Sequence, residues 1–265
     1  MLSFNLLGRY GRLGNQMFQY AALIGISKRR DTDFCIPPSN ASNLWVDHQL
    51  FQVFILPSVR KIGYQKTGVQ IQESSFTYDK ALHNTCPKDA DIRGYFQSEK
   101  YFSDVQSIIK AELEFKPTIR EYCARIRSQF KRQTISLHVR RGDYLKNPGS
   151  HPVCSMDYYE AALANFPADL PVLIFSDDID WCKQEKLFRH RRFVFFSGHA
   201  NYIDLCLMAM CDHHIIANSS FSWWGAWLGK NAQKCIVAPK IWFGQDGCNA
   251  KLETSDLIPE NWLTL

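Results

Sequence analysis

Residues Thr134-Ile-Ser-Leu-His-Val-Arg-Arg-Gly-Asp143 are a short run of β-forming residues that ends in a glycine turn, which is typical of a strand in an α/β sheet. It is the first of five such runs in the second half of the chain, and segments of helical length separate most of them. The runs are 134–139, 171–175, 193–196, 214–217 and 235–238, and the predicted helices include 156–165, 202–211 and 223–230. Strands that alternate with helices predict a parallel α/β sheet.

The first half of the chain predicts a smaller α/β lobe with insertions. The predicted elements are a strand at 2–7, a glycine turn at 8–14, a buried helix at 15–30, loops and short helices at 35–75, and a helix at 95–114. We therefore expect two domains, residues 1–130 and residues 131–265.

Composition excludes several classes of protein. Hydrophobic residues make up 46% of the 265 residues, which excludes a disordered chain, and a net charge of +5 is too small to indicate nucleic-acid binding. Nine cysteines without a C-x-x-C pair predict free thiols rather than disulfides or a zinc site. No apolar run approaches the roughly 18 residues of a membrane span, and the N-terminus lacks a signal-peptide pattern. We expect a cytoplasmic protein.

Two short basic runs, Lys28-Arg-Arg30 and Arg189-His-Arg-Arg192, have two interpretations. They are typical of solvated helix or loop ends. Either run could instead bind an anionic small molecule.

The strand at 135–139 predicts different roles for the two arginines that follow it. Because side chains alternate along a strand, His138 and Arg140 share one face and Arg141 lies on the other. A guanidinium at the carboxyl end of a parallel strand is suited to bind phosphate oxygens, so we assign that role to Arg140. Arg141 would turn towards the structure. The alternative is an Arg-Arg-Gly-Asp turn held only by a salt bridge.

The run Val172-Leu-Ile-Phe-Ser-Asp177-Asp178 delivers two carboxylates to the same sheet edge. One carboxylate there can accept two N–H donors from guanine, and the other is expected to cap the helix that follows. Asp178 and Asp180 also form a D-x-D pattern, as do 31–33 and 89–91, which raises the possibility of a Mg²⁺ or Mn²⁺ site. On a helix that starts directly after the strand, the side chains at 178 and 180 would diverge by about 200°, so they could not share one ion.

The run at 214–217 leads into the turn Asn218-Ser-Ser-Phe-Ser222 and a tryptophan-rich helix. Unpaired N–H groups at a helix start, together with serine hydroxyls, form an anion site. The alternative is that Ser222 is only the helix N-cap. We expect the tryptophans to lie in the core.

The N-terminal glycines are spaced G-x-x-G-x-x-G, which matches neither the dinucleotide fingerprint nor a P-loop. The pattern predicts a loop whose backbone can approach a ligand closely, with the amides of Asn15 and Gln16 to orient it.

Five blocks, in this order and spacing, closely resemble the α-1,2-fucosyltransferases of glycosyltransferase family 11. The blocks are 14–21, 138–144, 151–159, 175–178 and 217–225. The resemblance is to the bacterial type, because the segment before Gly14 leaves no room for the membrane anchor of the animal enzymes. It implies a GT-B fold, two Rossmann-like lobes that face each other across a cleft. It also implies inverting, metal-independent transfer of L-fucose from GDP-β-L-fucose to the 2-hydroxyl of a terminal β-galactoside.

The resemblance also implies donor contacts, carried over from related fucosyltransferases that share the H-x-R pattern. His138 and Arg140 would contact the nucleotide and its β-phosphate. The other implied contacts are Asp177 with guanine, Ser219, Ser220 and Phe221 with the diphosphate, and Asn15 with the donor from the other lobe. For the general base that takes the 2-hydroxyl proton, Asp143 and His151 are the candidates.

Two other functions stay open at this point. A metal-dependent sugar-nucleotide transferase would use Asp178 and Asp180 and lose activity in EDTA. A non-catalytic glycan-binding protein would use the many aromatic residues for sugar stacking and would not bind GDP. The expected partners are GDP-fucose and a galactose-terminated glycan, with no cofactor, no nucleic acid and no integral membrane segment. Lipid-linked acceptors would allow peripheral contact with a membrane.

Overall fold

The structure, a computed structural model, describes residues 1–39, 48–66 and 69–265. The chain divides into two compact units, Met1–Lys116 with Glu253–Pro259 and Pro117–Leu252 with Glu260–Leu265. Each unit contains one parallel sheet. The division after Lys116 falls before the expected boundary at residue 130, and a short C-terminal segment belongs to the first unit.

The first unit is built on a four-stranded parallel sheet. Its elements are β1 (Leu2–Ser3), α1 (Leu13–Arg29), β2 (Phe34–Cys35), α2 (Leu50–Val53), β3 (Val69–Gln72), α3 (Lys80–Thr85), β4 (Ala90–Arg93) and α4 (Gln106–Glu112). The strand order is β2-β1-β4-β3. Helix α1 is buried on nearly every side, as the apolar residues on most of its sides predict.

Several predicted elements of the first unit are wrong. The strand at 2–7 is only two residues long, because the chain turns at once, with Leu7 N donating to Phe4 O. The segment 35–75 contains the strand β3, which was missed because it is only four residues long and mostly exposed. Residues 40–47 and 67–68 of that segment lie outside the described residues. Of the segment 95–114, which was predicted as one helix, only the C-terminal part forms the α-helix α4, and two 3₁₀ turns precede it.

The second unit is built on a six-stranded parallel sheet. Its elements are α5 (Pro117–Arg127), β5 (Ile135–Val139), α6 (Met156–Leu163), β6 (Val172–Ser176), α7 (Ile179–Gln184), β7 (Phe193–Phe196), α8 (Asn201–Ala209), β8 (His213–Ile215), α9 (Ser220–Leu228), β9 (Ile236–Ala238) and β10 (Leu263–Thr264). The strand order is β10-β9-β8-β5-β6-β7, and every pair is parallel. All five strands predicted for this half are confirmed within one or two residues.

Helix α5 explains why the second unit begins before residue 130. It packs against α8, and the Sγ of Cys123 lies 3.7 Å from the carbonyl oxygen of Ile203. The predicted core position of the tryptophans in α9 is confirmed, because Trp223 and Trp224 are fully buried. No helix in the described part of the chain has the length and apolar character needed to cross a membrane.

Candidate active site

The carboxyl end of β5 lies where the strand order of the second sheet reverses. The chain passes from β5 to β6 and β7 on one side and then returns to β8 on the other. Open parallel sheets bind ligands at such a switch point, outside the carboxyl ends of the strands. Arg140 follows β5, Asp177 follows β6 and Ser219 follows β8. The topology therefore brings three of the predicted donor-binding elements to one edge.

The guanidinium of Arg140 is held between two carboxylates. Its Nη1 lies 2.7 Å from Oδ2 of Asp177, and its Nη2 donates to Oδ1 of Asp143. A Cβ added to Gly142 would lie 2.3 Å from Oδ2 of Asp177, so the glycine leaves room for this ion pair. A guanidinium has five N–H donors and these contacts use two, so Arg140 retains donors for another oxyanion.

The neighbouring Arg141 turns the other way, as strand alternation predicts. Its Nε lies 3.0 Å from Oδ2 of Asp178, and its guanidinium carbon lies 3.7 Å from the ring centre of Trp181. The predicted helix cap is confirmed, because Oδ1 of Asp178 accepts a hydrogen bond from the N–H of Trp181 at the start of α7. Arg141 and Asp178 thus brace the end of the sheet.

His138 lies inside β5 and is buried. Burial, together with the charge of Arg140, lowers its pKa to about 3, so the ring is neutral at pH 7. Its Nδ1 has no hydrogen-bond partner within the described residues, and its ring centre lies 5.8 Å from that of Phe221. A neutral imidazole here can exchange hydrogen bonds with a ligand but cannot neutralise phosphate charge.

Helix α9 begins at Ser220, directly after the loop that follows β8. Ser219 occupies the N-cap position in an extended conformation. Ser222, the alternative cap, lies inside the helix, where its hydroxyl donates to the carbonyl oxygens of Ala217 and Ser219 over 3.4 and 3.3 Å. The first N–H groups of a helix have no intrahelical acceptor, so this start, with Phe221 in its first turn, is suited to bind an oxyanion.

Sequence reasoning missed the contacts that tie Arg140 to this helix start. The ring of Tyr144 lies 5.2 Å from the guanidinium carbon of Arg140, and its hydroxyl donates to the carbonyl oxygen of Asn218 over 2.9 Å. The amide of Asn218 donates in turn to the carbonyl oxygens of Pro152 and Trp242. Tyr144 therefore couples the turn after β5 to the turn after β8. The sequence offered one signal for Tyr144, which is that it belongs to the block 138–144.

The two candidates for the general base differ in their surroundings. The Asp143 side chain is half exposed, at 50%, and is paired with Arg140. His151 stacks on the ring of Tyr144 at 4.8 Å, and burial lowers its pKa, so it is neutral at pH 7. Its Nε2 lies 3.3 Å from the amide nitrogen of Asn249, which is a donor. The acceptor nitrogen of His151 is therefore already engaged, whereas the carboxylate of Asp143 is open to solvent.

Asn15 belongs to the first unit and lies in the first turn of α1, which begins at Leu13, two residues before the predicted helix start. The helix starts earlier than expected because the buried side chain of Leu13 anchors its first turn. The amide of Asn15 donates to the carbonyl oxygen of Tyr10, and its Oδ1 accepts from Nε2 of Gln97 over 3.0 Å. Gly11 has a φ of +114°, and a Cβ there would lie 2.2 Å from the Asn15 amide, so this turn requires glycine.

A carboxylate that sequence reasoning missed lies in the first turn of α8, after β7. Oδ1 of Asp204 is buried and has no hydrogen-bond partner within the described residues. The Nδ1 of His199 is 3.9 Å away, beyond hydrogen-bond distance. Burial raises the pKa of Asp204 to about 7. A buried acceptor without a partner at this sheet edge is a candidate for binding the N–H groups of a ligand. An acid within a largely apolar helix was the sequence signal.

The D-x-D carboxylates make other contacts. Asp178 binds Arg141 and caps α7, and Asp180 pairs with Lys183 over 2.9 Å. Asp91 accepts hydrogen bonds from the hydroxyl of Ser3 and the backbone N–H of Asn5. Across residues 1–39, 48–66 and 69–265, no three His, Cys, Asp or Glu side chains are grouped to hold a metal ion.

The sequence matches one family model and several glycosyltransferases. Residues 4–264 match the family model described as glycosyl transferase family 11. An α-1,2-colitosyltransferase of Escherichia coli is 31% identical, with 96% of each chain covered. Galactoside α-(1,2)-fucosyltransferase 2 of Bos taurus is 27% identical over 82% of this chain and 67% of that protein. The O-antigen biosynthesis glycosyltransferase WbnK of Escherichia coli is 37% identical over half of this chain and 44% of that protein.

Solved structures support the fold. The fucosyltransferase NodZ from Bradyrhizobium aligns with a TM-score of 0.55 and 11% identity, covering 84% of this chain and 91% of that one. POFUT1 in complex with GDP aligns with a TM-score of 0.53 and 11% identity, covering 89% and 98%. At these identities the likeness concerns the fold alone, and it confirms the predicted GT-B class. Since the family model and the colitosyltransferase relative both span almost the entire chain, this protein belongs to glycosyl transferase family 11.

Proposed function

We propose that this protein transfers L-fucose from GDP-β-L-fucose to the 2-hydroxyl of a terminal β-galactoside, with inversion and without a metal ion. The observation that carries the proposal is the pairing of Arg140 with the start of α9 at the sheet switch point, linked through Tyr144. A guanidinium and a helix N-terminus at one edge are suited to hold a diphosphate. The relatives named as α-1,2-fucosyltransferases support the linkage.

In this reaction the bond between the anomeric carbon and the β-phosphate oxygen breaks as the acceptor 2-hydroxyl attacks from the opposite face. The bonding electrons leave with GDP, so negative charge grows on the β-phosphate while the sugar gains oxocarbenium character. Arg140 and the first N–H groups of α9 would stabilise that charge, which is the role a metal ion plays in other transferases. The proton of the 2-hydroxyl passes to a base.

We assign the base to Asp143 rather than His151, because the carboxylate is open to solvent while the acceptor nitrogen of His151 faces Asn249. Asp143→Asn should then lower kcat by about 100-fold or more with little change in GDP affinity. His151→Gln is the matched control. A larger loss of kcat in the His151 variant would reverse the assignment.

Two carboxylates are candidates to bind the guanine base: Asp177, which the family resemblance implies, and Asp204. Oδ1 of Asp177 accepts from the N–H of Arg141 over 2.9 Å and Oδ2 pairs with Arg140, so both oxygens are engaged. Oδ1 of Asp204 lacks a partner in the described structure, which supports Asp204. Guanosine binding to Asp177→Asn and Asp204→Asn decides between them. We expect the larger loss of affinity in the Asp204 variant.

A second donor is favoured by one comparison. The relative that matches over 96% of both chains is named as a colitosyltransferase, and colitose is the 3-deoxy counterpart of L-fucose. A site that hydrogen-bonds the 3-hydroxyl rejects the deoxy sugar strongly, whereas an apolar contact there does not. Competition between GDP-fucose and GDP-colitose in one transfer reaction measures the preference directly.

The central test is transfer from radiolabelled GDP-fucose to a panel of β-galactosides, followed by linkage analysis of the product. An α-1,2 product, formed equally well in excess EDTA, supports the proposal. Activity that disappears in EDTA and returns with Mn²⁺ would favour the metal-dependent transferase. Calorimetry with GDP tests the third alternative, since a glycan-binding protein without transferase activity has no reason to bind a nucleotide.

A further inference from the structure

A cavity of about 510 Å³ opens at the amino-terminal edge of the second sheet. Its wall includes Pro171 and Arg192, the residues that directly precede β6 and β7. The candidate active site lies at the carboxyl ends of the same strands. Since β6 has five residues, the two edges are about 16 Å apart along the sheet. The cavity is therefore separate from the donor site.

The charged side chains that line the cavity are mostly cationic. Three arginines, Arg132, Arg191 and Arg192, line it together with one aspartate, Asp169, which gives a formal charge of +2 with His190 counted as neutral. Asp169 is already paired with Arg132 over 2.6 Å. Two further guanidinium groups thus lie in the wall, and the residues that line the cavity include no second carboxylate to pair with them. Three of the cavity residues come from the basic run 189–192 of the sequence.

Arg192 provides an independent observation. Its Nη1 is buried and has no hydrogen-bond partner within the described residues. Its guanidinium carbon lies 4.9 Å from the ring centre of Phe193, and its carbonyl oxygen accepts from the N–H of Val172. The backbone of Arg192 is therefore fixed between two strands, while one donor of its side chain is left unsatisfied. A buried donor without an acceptor costs free energy, and a rotation of the guanidinium towards the cavity would let an anionic ligand supply the missing acceptor.

We propose that this cavity is a second anion site, which binds a phosphate or diphosphate group through Arg191 and Arg192. Guanidinium groups bind phosphate oxygens through paired N–H donors. The wall also contains Phe130 and Val194, so the cavity has apolar surface beside its cations. The group can be carried by a soluble diphosphate or by the headgroup of a lipid, and these two sources share the chemistry the cavity recognises.

The test titrates inorganic pyrophosphate into the 265-residue protein saturated with GDP, so that the donor site is already filled. We expect one binding event whose affinity falls about 10-fold or more in Arg192→Gln and in Arg191→Gln. The matched control is Arg189→Gln, which removes the same charge from an exposed neighbour outside the cavity wall. Arg191 is exposed as well, so its variant should fold even if Arg192→Gln does not.

A second experiment distinguishes a soluble diphosphate from a lipid headgroup. Vesicles of phosphatidylcholine with phosphatidylglycerol are compared with pure phosphatidylcholine vesicles in a sedimentation assay. Binding that requires the anionic lipid and is lost in Arg191→Gln assigns the group to a headgroup, whereas pyrophosphate binding alone assigns it to a soluble ligand. Absence of both overturns the proposal, as does an equal loss in the Arg189 variant, which would indicate diffuse charge at a solvated turn. GDP affinity should be unchanged throughout, so failure here is distinguishable from failure of the transferase function.

Discussion

Adjacent arginines with opposite roles provide the sharpest test of the site. Arg140→Lys keeps the positive charge but replaces a fork of N–H donors by a single ammonium group. Because Nη1 and Nη2 of Arg140 bind two different carboxylates, an ammonium group cannot reproduce both contacts and also bind a phosphate. Arg141→Ala removes instead the ion pair with Asp178 and the stacking on Trp181.

The Arg140 variant is expected to lose turnover, whereas the Arg141 variant is expected to lose stability. Loss of one charge-assisted hydrogen bond to the leaving β-phosphate corresponds to about 1.5–3 kcal/mol, and each 1.36 kcal/mol is a factor of 10 in rate. Turnover in Arg140→Lys should therefore fall by about 100-fold with little change in thermal stability. In Arg141→Ala, the lost cation–π contact and partly buried ion pair together amount to about 2 kcal/mol. That loss should lower Tm by about 4–8 °C while turnover at 25 °C stays within a few fold.

The assay measures kcat for fucose transfer and Tm by differential scanning fluorimetry on both variants and the wild type. Near-wild-type turnover in Arg140→Lys would refute the role assigned to Arg140. A folded Arg141→Ala protein without activity would show that the two faces of the strand had been assigned the wrong way round.

Three further predictions follow from single contacts. Tyr144→Phe keeps the ring but removes the hydrogen bond to the Asn218 carbonyl, so kcat should fall by about 5-fold at unchanged Tm, and an unchanged kcat would exclude a positioning role. Gly142→Ala places a methyl group 2.3 Å from the Asp177 carboxylate, so activity measured by transfer should drop by at least 10-fold; full activity would show that this ion pair is dispensable. If ionised Asp204 binds guanine, its raised pKa of about 7 means that guanosine affinity, measured by calorimetry, falls as pH drops from 8 to 6, and Asp204→Asn should abolish that dependence. Guanosine is used because it carries no titrating phosphate, and an equal pH dependence in both proteins would contradict the assignment.

Features that depend on local chemistry could be predicted from the sequence. Strand β6 is a nearly continuous apolar run, because it is buried on both faces, and such a run is recognisable without knowledge of its neighbours. The opposite directions of Arg140 and Arg141 follow from strand alternation, and the cap at Asp178 from the helix start beside it. The family resemblance also depended on local features, since each of its five blocks is a short contiguous stretch of sequence.

The first sheet was largely missed for a physical reason. Its strands are two to four residues long, too short for a period of two to stand out, and β3 is mostly exposed. Strand β1 pairs with β2 and β4, which are far away in sequence, and parallel pairing at such distances depends on packing rather than on local propensity.

Other parts of the site depend on contacts between residues that lie far apart in the chain. The hydroxyl of Tyr144 meets the carbonyl of Asn218, 74 residues away, and the amide of Gln97 meets Asn15, 82 residues away. No spacing in the sequence specifies either contact, because each depends on which strands become neighbours in a sheet. Burial is decided in the same way: it fixes the pKa values of His138 and Asp204, and it is a property of the packed chain that neither residue carries in its own sequence neighbourhood.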